Sequence, residues 1–166
     1  MVKNHKVVSS KNSKKATYEL KCFEVFLTAL GIDGGKNRSE VREPPEPDVL
    51  FHGKDGDVGF ELVELCDSGM AQLNKQLPKT GGAKLIHPNA PTAEIIKTKL
   101  LKNYTTSHPI ELLCYKTNRI FSPDDTICQE LKEVIASIDH VKFRRIWFCG
   151  ESLHLIYDPN RLPDLK

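Results

Sequence analysis

The hydrophobic positions follow two spacings, one typical of helices and one typical of strands. Across residues 16–30 the apolar side chains recur every three or four residues, which predicts an amphipathic helix that ends at Gly31. A second helix is predicted over 93–104, with Thr92 as its cap. A third is predicted to begin at Ser122-Pro123, where a serine and a proline suit the start of a helix.

Short apolar runs between these helices predict strands. They are PDVLFH (47–52), VGFELVEL (58–65), PIELLCYK (109–116), RRIWFCG (144–150) and LHLIYD (153–158). Glycine-containing turns join the first two runs and the last two, so both pairs are predicted hairpins. The resulting order, α-β-β-α-β-α-β-β, predicts an α/β fold with a mixed central sheet flanked by helices.

The remaining segments carry turn residues or no clear period. Residues 32–47 are rich in glycine, charge and then proline, and they are predicted to form a loop. A short helix over 67–77 and a mobile loop over 78–91 are predicted to follow the second strand.

Length and composition predict a single domain. The chain has 166 residues, of which 39% are hydrophobic and 28% charged, which is typical of one globular unit over 16–166. No apolar run approaches the roughly 20 residues that span a bilayer, so no membrane partner is expected. Residues 1–15 carry lysines and no acid, which predicts a flexible basic arm. The arm lacks the apolar stretch of a secretory signal, and we expect a cytoplasmic protein.

The five cysteines do not form a CxxC pair, which argues against a disulfide framework or a zinc knuckle. Cys66, Cys114 and Cys149 lie in or beside apolar runs and are predicted to be small buried hydrophobes in a reducing compartment.

Three acids lie in or beside the first predicted hairpin. Asp48 begins one strand, and Glu61 and Glu64 lie inside the next. Side chains alternate along a strand, so Glu61 and Glu64 are expected on opposite sides. An ionised carboxylate costs several kcal/mol to bury without a partner, and a Mg²⁺ ion held by oxygen ligands would be such a partner. Pairing with lysines at a partly solvated strand is the alternative.

The register of the hairpin decides which acids meet. The start of one strand lies beside the end of the next, so simple pairing would place Asp48 nearest Glu64 or Leu65. A slip or a bulge would be needed to bring it near Glu61, and the sequence leaves this choice open.

These residues resemble a known family. Pro47-Asp48 at the head of one strand, Glu61 inside the next and Glu24 on the preceding helix resemble the PD-(D/E)XK nuclease superfamily, whose core runs α-β-β-β-α-β. GFELVEL, the lysine-rich helix after it, PIELLCY and RRIWF also resemble a bacterial and phage-type branch of that superfamily.

The resemblance implies a restriction-endonuclease-like fold and hydrolysis of phosphodiester bonds in nucleic acid. It implies that Asp48 and Glu61 hold Mg²⁺ or Mn²⁺, with the backbone carbonyl of Val63 as a further ligand and Glu64 as an additional candidate. Glu24 matches the acid that the first helix sometimes supplies, although pairing with Lys21 explains it equally.

One position departs from the family pattern. The family lysine belongs two residues after Glu61, where this chain has Val63. Lys99 on the second predicted helix is the candidate replacement, followed by Lys97 and Lys75, although a solvated helix face also explains such lysines. If no lysine reaches the site, the domain is an inactive nuclease-like module that binds nucleic acid or protein.

Further basic residues are candidates for contact with the nucleic-acid backbone. They are Lys84, Arg144 and Arg145, together with the N-terminal arm. By analogy with the family, DNA is the expected partner and a homodimer is the expected assembly.

Overall fold

A computed structural model describes residues 10–33, 38–65, 91–116 and 122–161. The helices in these ranges are α1 (Ser10–Ala29), α2 (Pro91–Leu101) and α3 (Asp124–Ala136). The strands are β1 (Ser39–Val41), β2 (Val49–Gly53), β3 (Gly56–Leu65), β4 (Ile110–Lys116), β5 (Arg145–Cys149) and β6 (Leu153–Tyr157). None of the helices described is both long and apolar enough to cross a membrane.

All six strands form one sheet in the order β1-β2-β3-β4-β5-β6. The three central strands β3, β4 and β5 are parallel, and the outer pairs on both sides are antiparallel. A parallel pair needs a crossover, and α2 and α3 lie in the connections between the parallel strands. The predicted α/β fold with a mixed sheet is therefore confirmed.

Each side of the sheet has its own hydrophobic cluster. Phe60 and Leu62 of β3 belong to the cluster that includes Phe23 and Phe26 of α1. Val63 of β3 belongs to the second cluster, which includes residues of α2 and α3. The alternation of side chains along β3 thus assigns odd-numbered residues such as Glu61 to the α2 side of the sheet.

The structure differs from the sequence prediction in two elements. Strand β1 lies inside the segment that is predicted to be a loop. The sequence does not reveal this strand, because its residues Ser39-Glu40-Val41 carry no apolar alternation. It pairs with β2 and is fastened by Glu40, whose carboxylate lies 2.9 Å from Nε2 of His52. Helix α1 begins at Ser10 instead of Ala16, so the predicted arm overlaps it over residues 10–15. Residues 1–9 and the segments predicted over 67–90 lie outside the described ranges.

The cysteines are only partly as predicted. Cys114 is buried, whereas Cys149, the last residue of β5, is half-buried. Cys66 lies outside the described residues.

Gly59 allows the segment before β2 to approach β3 closely. A Cβ atom on Gly59 would lie 2.9 Å from Cγ of Pro47 and 3.4 Å from Cγ2 of Ile110. Real Cβ atoms do not make contacts as short as the first of these. The absence of a side chain at Gly59 therefore lets Pro47 pack against β3, and Pro47 in turn positions the next residue, Asp48.

Candidate functional site

The β2–β3 hairpin places Asp48 opposite Glu61. Val49 pairs with Phe60 and Leu50 with Gly59, and the same ladder extended by one residue sets Asp48 against Glu61. Of the two registers that the sequence left open, the structure has the one that brings Asp48 to Glu61, and it does so without a slip or a bulge in the ladder. The physical reason is that β3 continues well beyond the start of β2, so Asp48 faces the middle of β3 rather than its end.

A backbone hydrogen bond holds the carboxylate of Asp48. The N–H of Leu62 donates to Oδ2 of Asp48 at 2.9 Å, so the carboxylate takes the place of a strand carbonyl just before the start of β2. Burial raises the pKa of Asp48, and the negative charge of Glu61 raises it further. The Leu62 hydrogen bond and the positive charge of Lys99 oppose this rise. Asp48 is thus held in place yet costly to ionise.

Glu61 is fully buried, and only one of its two carboxylate oxygens has a hydrogen-bond partner. Lys99 Nζ donates to Oε1 at 2.5 Å and Lys102 Nζ to the same atom at 3.2 Å. Oε2 accepts no hydrogen bond from the part of the chain that the structure describes. A buried acceptor without a partner costs about 1–3 kcal/mol, so this oxygen is a position where a ligand would stabilise the protein.

Helix α2 and the residue after it supply the basic side of the site. Lys99 and Lys102 are three residues apart, which places them on one face of the chain as it leaves the helix. Nζ of Lys102 lies 4.7 Å from the ring centroid of Tyr104, a cation–π contact. Burial raises the pKa of Tyr104, and the negative charge of Glu61 adds to the effect, so its hydroxyl remains protonated.

The acid that α1 contributes is Glu19. Burial raises the pKa of Glu19 and the negative charge of Asp48 raises it further, while Lys15, 3.4 Å away, opposes the rise. The family resemblance points to Glu24 of the same helix instead. Glu19 precedes the buried residues Phe23 and Phe26 by four and seven positions, and this core-facing spacing is the signal that would have identified it.

Of the other lysine candidates, only Lys97 lies in a described range, and it does not contact Glu61. Lys97 is exposed on α2, and the lysines that contact Glu61 in the described ranges are Lys99 and Lys102. Lys102 was missed because the sequence alone does not show where the chain turns after α2. Lys75 and Lys84 lie outside the described residues.

The backbone carbonyl on the Asp48 side of β3 belongs to Leu62. In a strand the N–H and C=O of one residue point to the same neighbouring strand, and those of the next residue point to the other. The N–H of Leu62 points to Asp48, whereas the N–H of Gly59 donates to Pro109 on the β4 side. The carbonyl of Val63, an odd-numbered residue like Gly59, therefore points toward β4. Glu64 is exposed, and its side chain lies on the α1 side of the sheet.

Arg144 and Arg145 are paired with acids on the α1 side of the sheet. Arg144 donates to Oε1 of buried Glu111 through Nε at 2.8 Å and through Nη2 at 2.5 Å. Trp147 Nε1 donates to the other oxygen of Glu111 at 2.7 Å. Arg145 Nε donates to Asp158 at 2.9 Å. The two arginines therefore lie away from Glu61, and contact with nucleic acid stays a prediction for them.

Asp48, Glu61, Lys99, Lys102 and Tyr104 form what we call the carboxylate–lysine cluster. The ranges described contain no group of three or more histidine, cysteine or acidic side chains close enough together to hold a metal ion. The protein ligands available are thus two carboxylates and one carbonyl, a set that suits a hard divalent cation which keeps several water ligands. Comparisons with protein-family models, with curated proteins and with solved structures found no match.

Proposed function

We propose that the protein is a Mg²⁺- or Mn²⁺-dependent nuclease with a restriction-endonuclease-like fold, which hydrolyses phosphodiester bonds of nucleic acid. The observation that carries the proposal is Glu61. This carboxylate is fully buried, shares one oxygen with two lysines and leaves the other without a partner, opposite Asp48. A bound cation would remove the cost of that arrangement, because it would supply the missing partner.

Three oxygen-bearing residues would hold the ion. Asp48 and Glu61 would contribute carboxylate oxygens, and Leu62 would contribute its backbone carbonyl from the same side of β3. When bound, the ion would polarise a phosphoryl oxygen and lower the pKa of a coordinated water. The raised pKa of Asp48 fits this role, because a nearby cation favours the ionised carboxylate that burial and Glu61 disfavour.

Lys99 would bind a phosphate oxygen and stabilise the negative charge that develops there. Its ammonium group lies against Glu61, and the side chain is 26% exposed, so it reaches the site from solvent. Lys102 adds a second positive charge, and Tyr104 positions that charge through its ring. A lysine from α2 thus replaces the lysine that the superfamily carries two residues after the second acid, where this chain has Val63.

The element order supports the same fold. With β1 included, the chain runs α1, β1, β2, β3, α2, β4, which corresponds to the α-β-β-β-α-β core of the PD-(D/E)XK superfamily. Asp48 directly precedes the second of these strands, and Glu61 lies on the third, which pairs with the second.

A second function is favoured by the same lysines. Lys99 and Lys102 already neutralise Glu61 without any cation, so the cluster also suits an inactive nuclease-like module that binds nucleic acid or a protein.

Metal binding is tested by thermal unfolding in increasing Mn²⁺. Wild type and Glu64→Gln, the matched control on the same strand, should both be stabilised by Mn²⁺. At a Mn²⁺ concentration of one hundred times Kd, the free energy of unfolding should rise by about 2.7 kcal/mol, which corresponds to a rise in Tm of about 5–10 °C. Asp48→Asn and Glu61→Gln should lose this rise. An equal rise in all four proteins would contradict the proposed ion site.

Cleavage of plasmid and single-stranded DNA in Mn²⁺ separates the enzyme from the binding module. Glu61→Gln and Lys99→Met should lower the cleavage rate by about 10²-fold or more, and the exposed control Lys97→Met should not. Metal-dependent stabilisation without cleavage by the wild type would favour the binding module. Equal cleavage by wild type and Glu61→Gln would locate the activity elsewhere or in a contaminant.

A further inference from the structure

A small polar cavity of about 130 Å³ lies beside the carboxylate–lysine cluster. The polar side chains that line it come from the segment between β1 and β2 and from the loop after α2. They are Arg42, Glu46, Thr105, Thr106, Ser107 and His108.

The cavity and the cluster are neighbours on one side of the sheet. Gly59 lines the cavity and lies two residues before Glu61, so the two positions are about 7 Å apart along β3. Leu50 lines it too, two residues after Asp48, and the cavity loop begins directly after Tyr104. One strand rises about 3.4 Å per nucleotide along the helix axis, and successive phosphates lie farther apart than this rise because the backbone winds around the axis. The separation therefore spans no more than one or two nucleotides.

The guanidinium of Arg42 is held in place with donor capacity to spare. Its Nη2 lies 3.2 Å from Glu40 and its Nε lies 3.5 Å from Glu46, and these acids fix its position. Nε is nevertheless buried without a hydrogen bond from the described residues. Guanidinium N–H groups form strong charge-assisted hydrogen bonds with phosphate oxygens, and one such oxygen would satisfy Nε.

The loop after α2 adds neutral donors. Thr106 Oγ1 accepts a hydrogen bond from the N–H of His108 at 3.1 Å, which leaves its hydroxyl proton free to donate. Thr105 and Ser107 contribute further hydroxyls to the cavity, and His108 contributes an imidazole. Hydroxyl groups and arginine are typical contacts of nucleic-acid phosphates.

We propose that this cavity is a subsite for a backbone phosphate of the nucleic-acid strand, one or two nucleotides from the phosphate that is cleaved. The inference rests on the proposed function, since it takes nucleic acid as the substrate. Glu46 lines the same cavity and opposes an anion, so the subsite adds moderate affinity. It adds no sequence preference, because phosphate contacts position a strand without reading bases.

The test is binding of a fluorescently labelled single-stranded DNA oligonucleotide, measured by anisotropy in EDTA over a range of salt concentrations. Arg42→Gln should weaken binding about 5–10-fold. It should also reduce the slope of log K against log salt by about 0.7, the value for one lost phosphate contact on a single strand. Arg161→Gln, a matched charge loss beyond β6 at the opposite edge of the sheet, should leave both quantities unchanged.

Two further variants act on the cavity without removing Arg42. Ser107→Asp should weaken binding, whereas Thr126→Asp on an exposed position of α3 should not. Glu46→Gln should tighten binding, because it removes the anion that opposes phosphate. Far-UV circular dichroism of each variant checks that it is folded.

The outcomes separate this proposal from the nuclease itself. Slopes that are equal in Arg42→Gln, Arg161→Gln and wild type would overturn the subsite, as would a wild type that binds no oligonucleotide. Because the assay contains no metal, an Arg42-dependent slope in a protein without Mn²⁺-dependent cleavage would support the subsite and refute the nuclease. Mn²⁺-dependent cleavage by the wild type, together with a salt slope that Arg42→Gln leaves unchanged, would support the nuclease and refute the subsite.

Discussion

At the scale of single residues, Asp48 and Glu61 are two acids that lie opposite each other in the β2–β3 hairpin and are partly or fully buried. Glu61 is fully buried and Asp48 is half-buried. The charge of Glu61 adds to the rise in the pKa of Asp48, and Oε2 of Glu61 has no hydrogen-bond partner in the described ranges. Folding alone would favour apolar residues of similar size at these positions, since burying charge seldom stabilises a protein.

The first prediction concerns the pH dependence of stability in EDTA. The pKa of Asp48 is higher in the folded state than its usual value, so its contribution to stability is full below about pH 3.8. That contribution is lost as the pH rises through the folded-state pKa. Asp48→Asn, which is neutral throughout, should therefore be more stable than wild type at pH 7, and the difference should shrink toward pH 4. The free energy of unfolding from urea titrations at each pH measures this.

Several charged groups surround Asp48 and set the size of the effect. Glu61 comes from β3, Lys99 from α2, and Lys15 and Glu19 from α1. Glu64→Gln is the control. The difference in unfolding free energy between Glu64→Gln and wild type should not show the pH dependence expected for Asp48→Asn. A lower stability of Asp48→Asn at pH 7 would show that the ionised carboxylate stabilises the fold, contrary to the raised pKa.

The sequence proposed candidates from residue type, and their roles stay predictions; it was less successful at showing which side chains lie together, because that depends on the direction of each side chain. Asp48, Glu61 and Lys99 were predicted and lie together. Glu19 and Lys102 were missed, because which helical residues face the sheet depends on how the helix crosses it, and this is a tertiary property.

At the scale of elements, the approach of Pro47 to β3 positions the site. Gly59 leaves room for the proline ring, and Asp48 follows directly. The ladder between β2 and β3 then sets the carboxylates opposite each other.

The second prediction is that Gly59→Ala disturbs the site more than the fold. The new Cβ would lie 2.9 Å from Cγ of Pro47, so the proline must move and displace Asp48. We expect a loss of about 1–3 kcal/mol in the free energy of unfolding, as for other overpacked positions. We also expect a clear weakening of the Mn²⁺-dependent rise in Tm. Adding Pro47→Ala should restore part of the lost unfolding free energy and part of the Mn²⁺-dependent rise in Tm. If the double variant is as destabilised as Gly59→Ala alone, the strain does not come from contact with Pro47.

Most elements could be predicted because their apolar periods are regular, and β1 shows where that signal ends. Its three residues include a single apolar one, Val41, which is half exposed. The strand exists because β2 offers an unpaired edge and because Glu40 reaches His52 across the pair. Both conditions depend on other elements of the fold, so the sequence of residues 39–41 alone does not predict the strand. The sequence left the hairpin register open for a related reason, since the register depends on how far β3 extends past β2.

At the scale of the whole molecule, two hydrophobic clusters share one sheet. Phe60 and Leu62 face α1, while Val63 and Leu65, on the same strand, face α2 and α3. Because β3 contributes to both clusters, loss of packing on one side is expected to weaken the other.

The third prediction is that the molecule unfolds in one transition. Trp147, the single tryptophan, lies on the α1 side, with its ring 5.5 Å from that of Phe26. Tryptophan fluorescence therefore reports the α1 side, whereas far-UV circular dichroism reports all helices and strands. The two urea midpoints should coincide in wild type. Both midpoints should fall together in Phe26→Leu, whose free energy of unfolding should be lower by about 0.5–3 kcal/mol. Midpoints that separate would mean that α1 leaves the sheet independently.

The hydrogen bond from Leu62 to Asp48 makes one amide of the backbone an indicator for the whole site. The Leu62 nitrogen lies 2.9 Å from Oδ2 of Asp48. Protonation, metal binding and nucleic-acid binding at the cluster would each alter the charge at or beside this carboxylate. In a two-dimensional nitrogen–proton NMR spectrum of the ¹⁵N-labelled protein, the Leu62 resonance should move when acid, Mg²⁺ or an oligonucleotide reaches the cluster. Each binding event can thus be followed at one peak, without a substitution in the site.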